Sequence, residues 1–394
     1  MKCKVCNSIN ICEVINLGKQ PLANKYPKNK EEINKEKKFN LKILFCKKCK
    51  ASQIKKIIDR NILFEDYYYL SSVNNKLKEH FDKLALKLKK YSFIVDIGSN
   101  DGILLEPLKK LKIKSIGIDP SKNVGEIANN KGLKTYIGFF DKVMINKILK
   151  KYQKPDLVVA SSVVTHLKNP ILFAKNVRDF LKKNGTLIIE IEYLQNFLKN
   201  IEYERFYFDR PFYYSANSIK ELFKNIGMKL YDIEKINVHG GSLRLYIKNS
   251  LNCKVTNRCE RLLDNEKKNI NLNTFKVFNI KIQKHSRYLK NQLVKFKNSN
   301  KSVIGYGSPA RVSTITNFSK IDSSLIKFII DDSPLKQNRF TPGMHIKILP
   351  RKKNFDKKIN IVIVFAYEYF EDIKKIFKNK KIIFFKPIPF SKLS

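Results

Sequence analysis

The sequence has no long apolar run. None of its 394 residues lies in a stretch approaching the ~18 consecutive apolar residues that a membrane span needs. No apolar segment follows the first residues either, so we expect no signal peptide. Hydrophobic residues still make up 43% of the chain, which is enough for ordinary packed cores. We therefore expect a soluble, cytoplasmic protein of two or three domains without a membrane partner.

Acidic residues and arginine are both scarce. Asp and Glu total 35 against 79 Lys and Arg, a formal net charge of +44, and only 11 of the bases are arginine. Such an excess is typical of proteins that bind nucleic acid or acidic surfaces. Here the lysines are spread along the whole chain, which indicates a compositional bias instead. We expect nucleic acid not to be the partner, although the charge attracts phosphate-bearing substrates in general.

Cysteine is limited to seven residues, and four of them form two CxxC pairs, Cys3 with Cys6 and Cys46 with Cys49. In a reducing compartment such pairs indicate metal binding rather than disulfides. Two CxxC turns complete a closed tetrahedral sulfur site, which favours zinc. Four protein ligands leave no position for water, so the predicted zinc is structural. The alternative is a set of four unrelated buried thiols.

Strand and helix patterns alternate through the rest of the chain, which predicts α/β architecture. Buried strands are predicted at 93–97, 115–119, 157–160 and 186–190 in the middle, and at 302–307, 328–332, 361–365 and 382–385 in the tail. The hinge between the two α/β units is expected near 249–259, followed by one long polar helix through Lys290.

The turn after the first of these strands carries the clearest ligand signal. Gly98 permits a tight turn and close approach of a ligand, and ligands of wound sheets bind at the carboxyl ends of strands. Asp119 ends the next strand, where an acid can bind both hydroxyls of a ribose. The turn is not GxGxxG, and Asp96 and Asp101 would repel a diphosphate but tolerate a sulfonium or amino group. The pattern therefore favours S-adenosylmethionine over NAD. The predicted cofactor-binding residues are Asp96, Gly98, Ser99, Asn100, Asp101, Gly102, Asp119, Pro120 and Ser161.

Several motifs occur in one order along almost the whole chain. They are the paired CxxC, residues 17–24, 63–72, DIGSNDG at 96–102, 117–121, 165–167, 239–244, GYGSPAR at 305–311, 331–337 and 341–346. In this order the chain resembles the S-adenosylmethionine-dependent sugar C-methyltransferases, which act on nucleotide-linked keto sugars.

The resemblance implies three domains and a mechanism. The domains are zinc-binding (1–62), a class I, Rossmann-like methyltransferase domain (63–250) and a second Rossmann-like domain that helps hold the sugar nucleotide (251–394). A base removes the proton beside the sugar ketone, and the enolate attacks the methyl group of the sulfonium. Positioning and desolvation contribute much of the rate. The expected substrate-binding residues are Tyr69, Arg210, His239, Arg244, Tyr306, Arg311 and Lys336; the alternative for the tyrosine cluster around Tyr69 is packing, since tyrosine rings are largely apolar.

The chain departs from the family at the base. Members usually carry Tyr-His-Glu-His where this chain reads Tyr207-Phe208-Asp209-Arg210, and arginine stays protonated in proteins. The remaining catalytic candidates are His166, Asp209 and Tyr207, with His239, Glu190 and Glu192 behind them. Of these, His166 is favoured because the unperturbed pKa of a histidine suits a base near neutrality; the alternative is a histidine that only orders the loop.

Other roles remain open for the neighbouring residues. Arg210 suits an anionic part of the acceptor, or forms an ion pair with Asp209. His239 precedes two glycines and is alternatively a loop anchor. His80 and His285 lie in lysine-rich helices and are expected to be solvated.

These observations predict a methyltransferase acting on a nucleotide-linked or phosphorylated sugar, at the carbon beside a ketone or at a hydroxyl. Two alternatives remain: a zinc-containing RNA methyltransferase, which the basic charge would suit, and a non-catalytic relative that kept the fold and lost the base.

Overall fold

The computed structural model describes residues 1–58, 71–351, 358–378 and 381–393, and within them the chain forms three β-sheets with helices packed around them. Tyr69, one of the predicted substrate contacts, lies outside the described residues. The strands are β1 (Ile11–Pro21), β2 (Lys38–Cys46), β3 (Ser52–Ile54), β4 (Phe93–Ile97), β5 (Lys114–Asp119), β6 (Thr135–Ile137), β7 (Leu157–Ser161), β8 (Thr186–Glu192), β9 (Phe212–Tyr213), β10 (Lys229–Ile236), β11 (Ser242–Lys248), β12 (Val303–Tyr306), β13 (Ile329–Ile330), β14 (Ile348–Leu349), β15 (Ile361–Val364), β16 (Ile383–Pro387) and β17 (Phe390–Leu393).

The α-helices fill the connections between these strands. They are α1 (Lys30–Asn34), α2 (Asn75–Lys87), α3 (Leu105–Lys110), α4 (Lys122–Asn130), α5 (Lys142–Leu149), α6 (Pro170–Phe180), α7 (Leu194–Lys199), α8 (Ala216–Lys224), α9 (Asn257–Asn269), α10 (Leu272–Asn298), α11 (Arg311–Ser319) and α12 (Phe370–Ile376). Among the described residues, no helix is both long enough and apolar enough to cross a membrane.

The central sheet has seven strands in the order β10-β11-β8-β7-β4-β5-β6. Every residue of β4 and β8 is buried, as expected for strands that are covered by helices on both faces. All neighbours pair in parallel except β11, which runs antiparallel to both β8 and β10. The chain winds outward from β4 in both directions, so the crevice for a ligand opens at the carboxyl ends of β4 and β7.

The N-terminal sheet is completed by a distant part of the chain. Its order is β1-β2-β3-β9, and β9 belongs to the segment that follows β8 of the central sheet. Ser52 pairs with Tyr213 and Gln53 with Phe212 in antiparallel register. The N-terminal cysteines accordingly pack in the same hydrophobic core as the central sheet.

The C-terminal sheet runs in the order β14-β13-β12-β15-β16-β17, and only β17 is antiparallel to its neighbour. Two helices, α9 and α10, connect it to the central sheet. The expectation of one long helix is wrong, because the side chain of Asn271 caps a new helix by accepting a hydrogen bond from the amide of Thr274 at 3.1 Å.

The prediction for His285 is also wrong. Helix α10 buries an apolar face that includes Phe278, Ile282 and Leu289, and His285 lies on that face with 8% of its surface exposed. Its Nε2 accepts a hydrogen bond from the amide of Phe390 at 3.1 Å. Lysines elsewhere on the helix therefore gave a misleading picture of this position.

Candidate functional site: a cavity between three sheets

The four predicted zinc ligands converge. Their Sγ atoms all lie within 4.8 Å of one another, and Cys3, Cys46 and Cys49 are fully buried. Each CxxC turn is closed by a backbone hydrogen bond of 2.9 Å and ends in a residue with positive φ, Asn7 in one turn and Lys50 in the other. Four buried sulfurs at this spacing fit a tetrahedral metal site, and an all-sulfur set favours zinc.

The cofactor turn is shaped by one glycine. Gly98 has a φ of +72°, and its amide donates to the carbonyl of Ile118 at 2.7 Å. A Cβ at this position would lie 2.4 Å from Cγ2 of Val163, so any other residue would force the two strand ends apart. The turn therefore brings its backbone directly to the mouth of the crevice.

Two acids of this region are crowded at the crevice. The carboxylate of Asp119 accepts hydrogen bonds from the amides of Asn100 and Ser121, both at 2.9 Å. Burial raises the pKa of Asp119 in spite of these bonds. Burial, with Asp119 and Glu190 nearby, holds the pKa of Asp96 well above its ordinary value. A bound cation would relieve this crowding, and a diphosphate would aggravate it.

These acids line one end of a cavity of 1690 Å³. Six of the nine predicted cofactor residues line it: Asp96, Gly98, Asn100, Asp119, Pro120 and Ser161. The other three, Ser99, Asp101 and Gly102, are not among its lining residues. Asp101 instead accepts hydrogen bonds from the amide and hydroxyl of Ser72, and Ser99 packs under Gly117.

The other end of the cavity is built from loops that connect elements of different sheets. The loop after β1 contributes Asn24 and Tyr26, and the C-terminal domain contributes Pro309, Ala310 and Lys336. The hydroxyl of Tyr26 donates to the carbonyl of Ser308 at 2.7 Å, and the Lys336 ammonium donates to the same oxygen at 3.1 Å. The loops from the two outer domains therefore close this end together.

The predicted catalytic residues His166, Asp209 and Tyr207 all line the cavity. Nδ1 of His166 lies 2.6 Å from the backbone oxygen of Asp209. Because a carbonyl oxygen only accepts, Nδ1 carries the proton, and in the neutral ring Nε2 carries the lone pair. The backbone of Asp209 thus selects the tautomer of His166.

The carboxyl of Asp209 is 3% exposed and lies between the N-terminal loop and the cavity. Its Oδ2 accepts from the Asn24 amide at 2.6 Å, whereas the buried Oδ1 has no hydrogen-bond partner among the described residues. Burial raises the pKa of Asp209 to about 6, although Asn24 and Arg210 act in the opposite direction. This carboxyl therefore titrates close to neutrality.

Arg210 forms its ion pair with Glu192, not with Asp209. NH2 of Arg210 lies 2.6 Å from Oε1 of Glu192, which is 3% exposed. Burial alone would raise the pKa of Glu192, but Arg210, with His239 and Arg205, lowers it to about 2. Arg210 and His239 both line the cavity, and burial lowers the pKa of His239.

Arg244 is placed away from the substrate cavity. Only 3% of the residue is exposed, its Nε donates to Glu190 at 2.7 Å, and its NH1 donates to Glu234 at 3.1 Å. The expectation that His80 is solvated is wrong, because its Nε2 lies 2.9 Å from the same Glu190 carboxylate. These bonds hold Glu190, which does line the cavity, in one orientation.

Two residues predicted from the C-terminal motifs also face protein groups. Arg311 forms a two-pronged ion pair with Glu368, and the Tyr306 hydroxyl donates to Asp332 at 2.8 Å. Neither residue lines the cavity, because these carboxylates hold both side chains within the C-terminal domain. Of the C-terminal predictions, Lys336 alone reaches the cavity wall.

Sequence reasoning missed Asn24 as a partner of Asp209, and His80 as a partner of Glu190. Asn24 lies just after β1, in the motif 17–24 that carried the family resemblance, and this motif gives no indication of the residue that Asn24 contacts. Nothing in the helix around His80 indicates a carboxylate 110 positions away.

Three family models match consecutive parts of the chain. Residues 3–64 match a zinc binding domain, residues 69–233 a methyltransferase domain, and residues 237–389 a C-methyltransferase C-terminal domain. The order agrees with the three sheets of the structure.

Curated relatives match the chain over two different lengths. C-methyltransferase NovU of Streptomyces niveus is 24% identical over an alignment of 403 positions, gaps included, which covers 98% of this chain and 95% of that protein. A ubiquinone biosynthesis O-methyltransferase of Pelagibacter ubique is 33% identical over 96 residues, 24% of this chain and 40% of that protein. The shorter match spans well under half of the O-methyltransferase.

Solved structures similar to part of the chain include a SAM-dependent methyltransferase of Thermotoga maritima, at 18% identity and a TM-score of 0.36, covering 44% of this chain and 89% of that one. Magnesium protoporphyrin IX methyltransferase of Synechocystis, solved with bound SAH, has 14% identity and a TM-score of 0.37, covering 47% of this chain and 90% of that one.

The family models and the clustered thiols confirm two predictions about cofactors. The chain is an S-adenosylmethionine-dependent methyltransferase, and its four N-terminal cysteines form a structural zinc site. The predicted α/β fold class, with a zinc-binding unit in front of two wound sheets, is confirmed as well.

Proposed function

The chain belongs to the S-adenosylmethionine-dependent C-methyltransferases with an N-terminal zinc-binding domain, and from this premise we propose that its acceptor is a nucleotide-linked keto sugar, methylated at the carbon beside the ketone. The observation that carries the proposal is the cavity itself. One end has the acids Asp96 and Asp119, which suit a sulfonium and a ribose. The other end has His166 and Asp209, which can each take a proton, and the cation Lys336 lies on the same wall.

In this proposal the three domains have separate tasks. Residues 1–62 bind zinc, residues 63–250 bind the cofactor, and residues 251–394 help to hold the nucleotide part of the acceptor. The similarity to NovU extends through all three, whereas the O-methyltransferase match covers a quarter of the chain. Similarity over the acceptor end therefore favours transfer to carbon.

His166 is the proposed base. Its Nδ1 proton is held by the carbonyl of Asp209, so Nε2 is the atom that accepts the proton from the sugar carbon. S-adenosylmethionine, held by the acids of the cofactor turn, would supply an electrophilic methyl group. Removing the proton would leave an enolate on the sugar, whose carbon would take the methyl group as the methyl–sulfur bond breaks, with S-adenosylhomocysteine as the leaving group and the proton on His166. The carboxyl of Asp209 is the alternative base, since its pKa lies near 6.

The anionic part of the acceptor is proposed to lie against Lys336 and His239, with Tyr207 along the sugar. Arg210 contributes positive charge to the same wall, although Glu192 already neutralises much of it. Arg244, Tyr306 and Arg311 are left out of the proposed contacts because none of them lines the cavity, and each is bound to an internal carboxylate.

Turnover of purified protein with a panel of nucleotide-linked 4-keto and 3-keto sugars tests the proposal. Mass spectrometry should show one added methyl group, and NMR should place it on carbon in place of an exchangeable proton. Methylation on oxygen would select the hydroxyl alternative. Cofactor binding without turnover of any sugar would favour the non-catalytic alternative, and turnover of RNA in place of sugars would favour the RNA methyltransferase.

A further inference from the structure

The zinc site lies in the hydrophobic core that supports the acceptor end of the cavity. Cys3, Cys46 and Cys49 belong to the same core cluster as Phe212 and Tyr214, and this aromatic pair stacks at 5.8 Å with ring planes 22° apart. Asp209 and Arg210 shortly precede this pair along the chain. The metal-binding turns thus share a core with the residues that directly follow the altered base motif.

We propose that the zinc-binding turns position the catalytic segment 209–214 and the turn of His166, with Gln53 and Tyr214 as the positioning residues. The proposal rests on the proposed function for the roles of His166 and Asp209. It assigns the zinc a task at the acceptor end that goes beyond folding of the N-terminal domain.

The first connection runs through Gln53. This residue is 1% exposed, and its side-chain oxygen accepts a hydrogen bond from the amide of Lys4, at 2.9 Å, inside the first CxxC turn. Its backbone pairs with Phe212, and the amide of Ile54 donates to the carbonyl of Pro211 at 2.9 Å. A displacement of the first CxxC turn is therefore transmitted to the chain two residues after Asp209.

The second connection runs through Tyr214. The fully buried ring packs in the zinc-bearing core, and its hydroxyl donates to the carbonyl of Val164 at 3.3 Å. Val164 begins the single 3-10 turn that ends at His166. The hydrogen bond between His166 and the Asp209 carbonyl then joins the two connections. Both candidate bases are therefore linked to the zinc-binding turns through Gln53 and Tyr214.

A third contact comes from the same domain. Asn24 donates to the Asp209 carboxylate at 2.6 Å, so the N-terminal domain contacts the side chain of this residue as well as the backbone that follows it at Pro211. The cofactor turn, by contrast, is held by bonds within the central sheet, such as Gly98 to Ile118. Weakening the contacts between the N-terminal domain and residues 209–214 should therefore lower turnover and leave the affinity for S-adenosylmethionine nearly unchanged.

The test compares Gln53→Met with Gln20→Met in the full-length, zinc-loaded protein. Both glutamines are buried in the N-terminal sheet, but the Gln20 amide donates to the carbonyl of Leu17, which belongs to neither CxxC turn, whereas Gln53 bonds the first CxxC turn. For Gln53→Met we expect kcat to fall on the order of ten-fold, less than the roughly hundred-fold loss from a 1 Å misplacement. We expect the affinity for S-adenosylmethionine, measured by calorimetry, to stay within about two-fold, because a misplacement of the acceptor-side residues does not reach the cofactor turn.

Hydrogen exchange provides a readout that needs no acceptor, and so separates this proposal from the choice of substrate. Amides of residues 164–166 and 212–214 should exchange faster in Gln53→Met, while the zinc content stays unchanged. Unchanged exchange in these segments, or equal effects in Gln20→Met, would overturn the proposal. Loss of cofactor affinity in parallel with kcat would overturn it too, since that pattern indicates general destabilisation.

Tyr214→Phe tests the second connection, and decides the matter if Gln53→Met does not fold. It keeps the buried ring and removes only the hydroxyl. We expect faster exchange at residues 164–166 and a displaced acid limb in the pH profile of kcat/KM, because the turn that orients His166 is released. A wild-type exchange pattern and pH profile in this variant would contradict the proposal.

Discussion

The two ends of the cavity are built in different ways. The cofactor end comes from consecutive strand ends of one sheet, where the turn at Gly98 and the acid Asp119 lie within a short stretch of chain. The acceptor end joins Asn24, His166, Asp209 and Lys336, which come from three sheets. A site made by one sheet tolerates changes in the other domains, whereas a site made by three depends on how all of them dock.

The largest expected effect that separates the two ends comes from removing the metal. In Cys46→Ser with Cys49→Ser, we expect loss of zinc and of all acceptor turnover, because structural zinc contributes on the order of 10 kcal/mol to the folding of small zinc units. S-adenosylmethionine should still bind, as calorimetry can show. Cys253→Ser, at a partly exposed cysteine outside the cluster, is the control. Retention of the wild-type zinc content in the double variant would refute the site.

Removing the proposed base should affect chemistry at the acceptor end alone. In His166→Ala we expect kcat to fall by about a hundred- to ten-thousand-fold, the usual contribution of a general base. A base acts in its deprotonated form, so kcat/KM falls as pH drops through the pKa of the base. This acid limb of the pH profile should vanish in the variant. If a limb near pH 6 persists instead, it belongs to Asp209, whose pKa is about 6, and Asp209→Asn should then abolish it.

A change at Asp119 should affect the cofactor end alone. Asp119→Ala should weaken S-adenosylmethionine binding by about 1.5–3 kcal/mol, the value of hydrogen bonds to a charged acceptor. Asp101→Asn is the matched control from the same turn, since Asp101 bonds Ser72 rather than lining the cavity. Equal losses in both variants would mean that Asp119 acts only by holding the turn, and the assigned ribose contact would be wrong.

The smallest effect concerns two cations of the C-terminal domain. Lys336→Ala should raise the acceptor's KM roughly five-fold, since a partly solvated charge contributes about 1 kcal/mol. Arg311→Ala should instead lower the thermal stability with little change in KM, because it removes the two hydrogen bonds that Arg311 donates to Glu368 and leaves this carboxylate with Arg205 alone. If Arg311→Ala raises the acceptor's KM more than Lys336→Ala does, then Arg311 and not Lys336 contacts the acceptor.

The success of sequence reasoning follows the same division. CxxC turns and a strand-turn-acid pattern are local, so Cys3, Cys46, Gly98 and Asp119 could be located from neighbouring residues alone. The partners of the polar residues could not be, because they come from distant parts of the chain.

His80 and Arg311 show what such reasoning cannot reach. The lysines around His80 indicate a solvated helix face, yet the Glu190 carboxylate from the central sheet lies beside its ring. The motif around Arg311 resembles a binding loop, yet its guanidinium is bound to Glu368, 57 positions further along. Long-range ion pairs of this kind leave no periodicity in the sequence.

The short strand β9 has a consequence for dissecting this protein. A fragment ending at residue 58 would keep all four cysteines but lose Phe212 and Tyr213, so the outer edge of β3 would be left unpaired. Unpaired sheet edges recruit other chains and favour aggregation. We therefore expect such a fragment to bind zinc and yet self-associate. A chimaera that takes its N-terminal domain from a related protein should accordingly need the β9 segment of that protein as well.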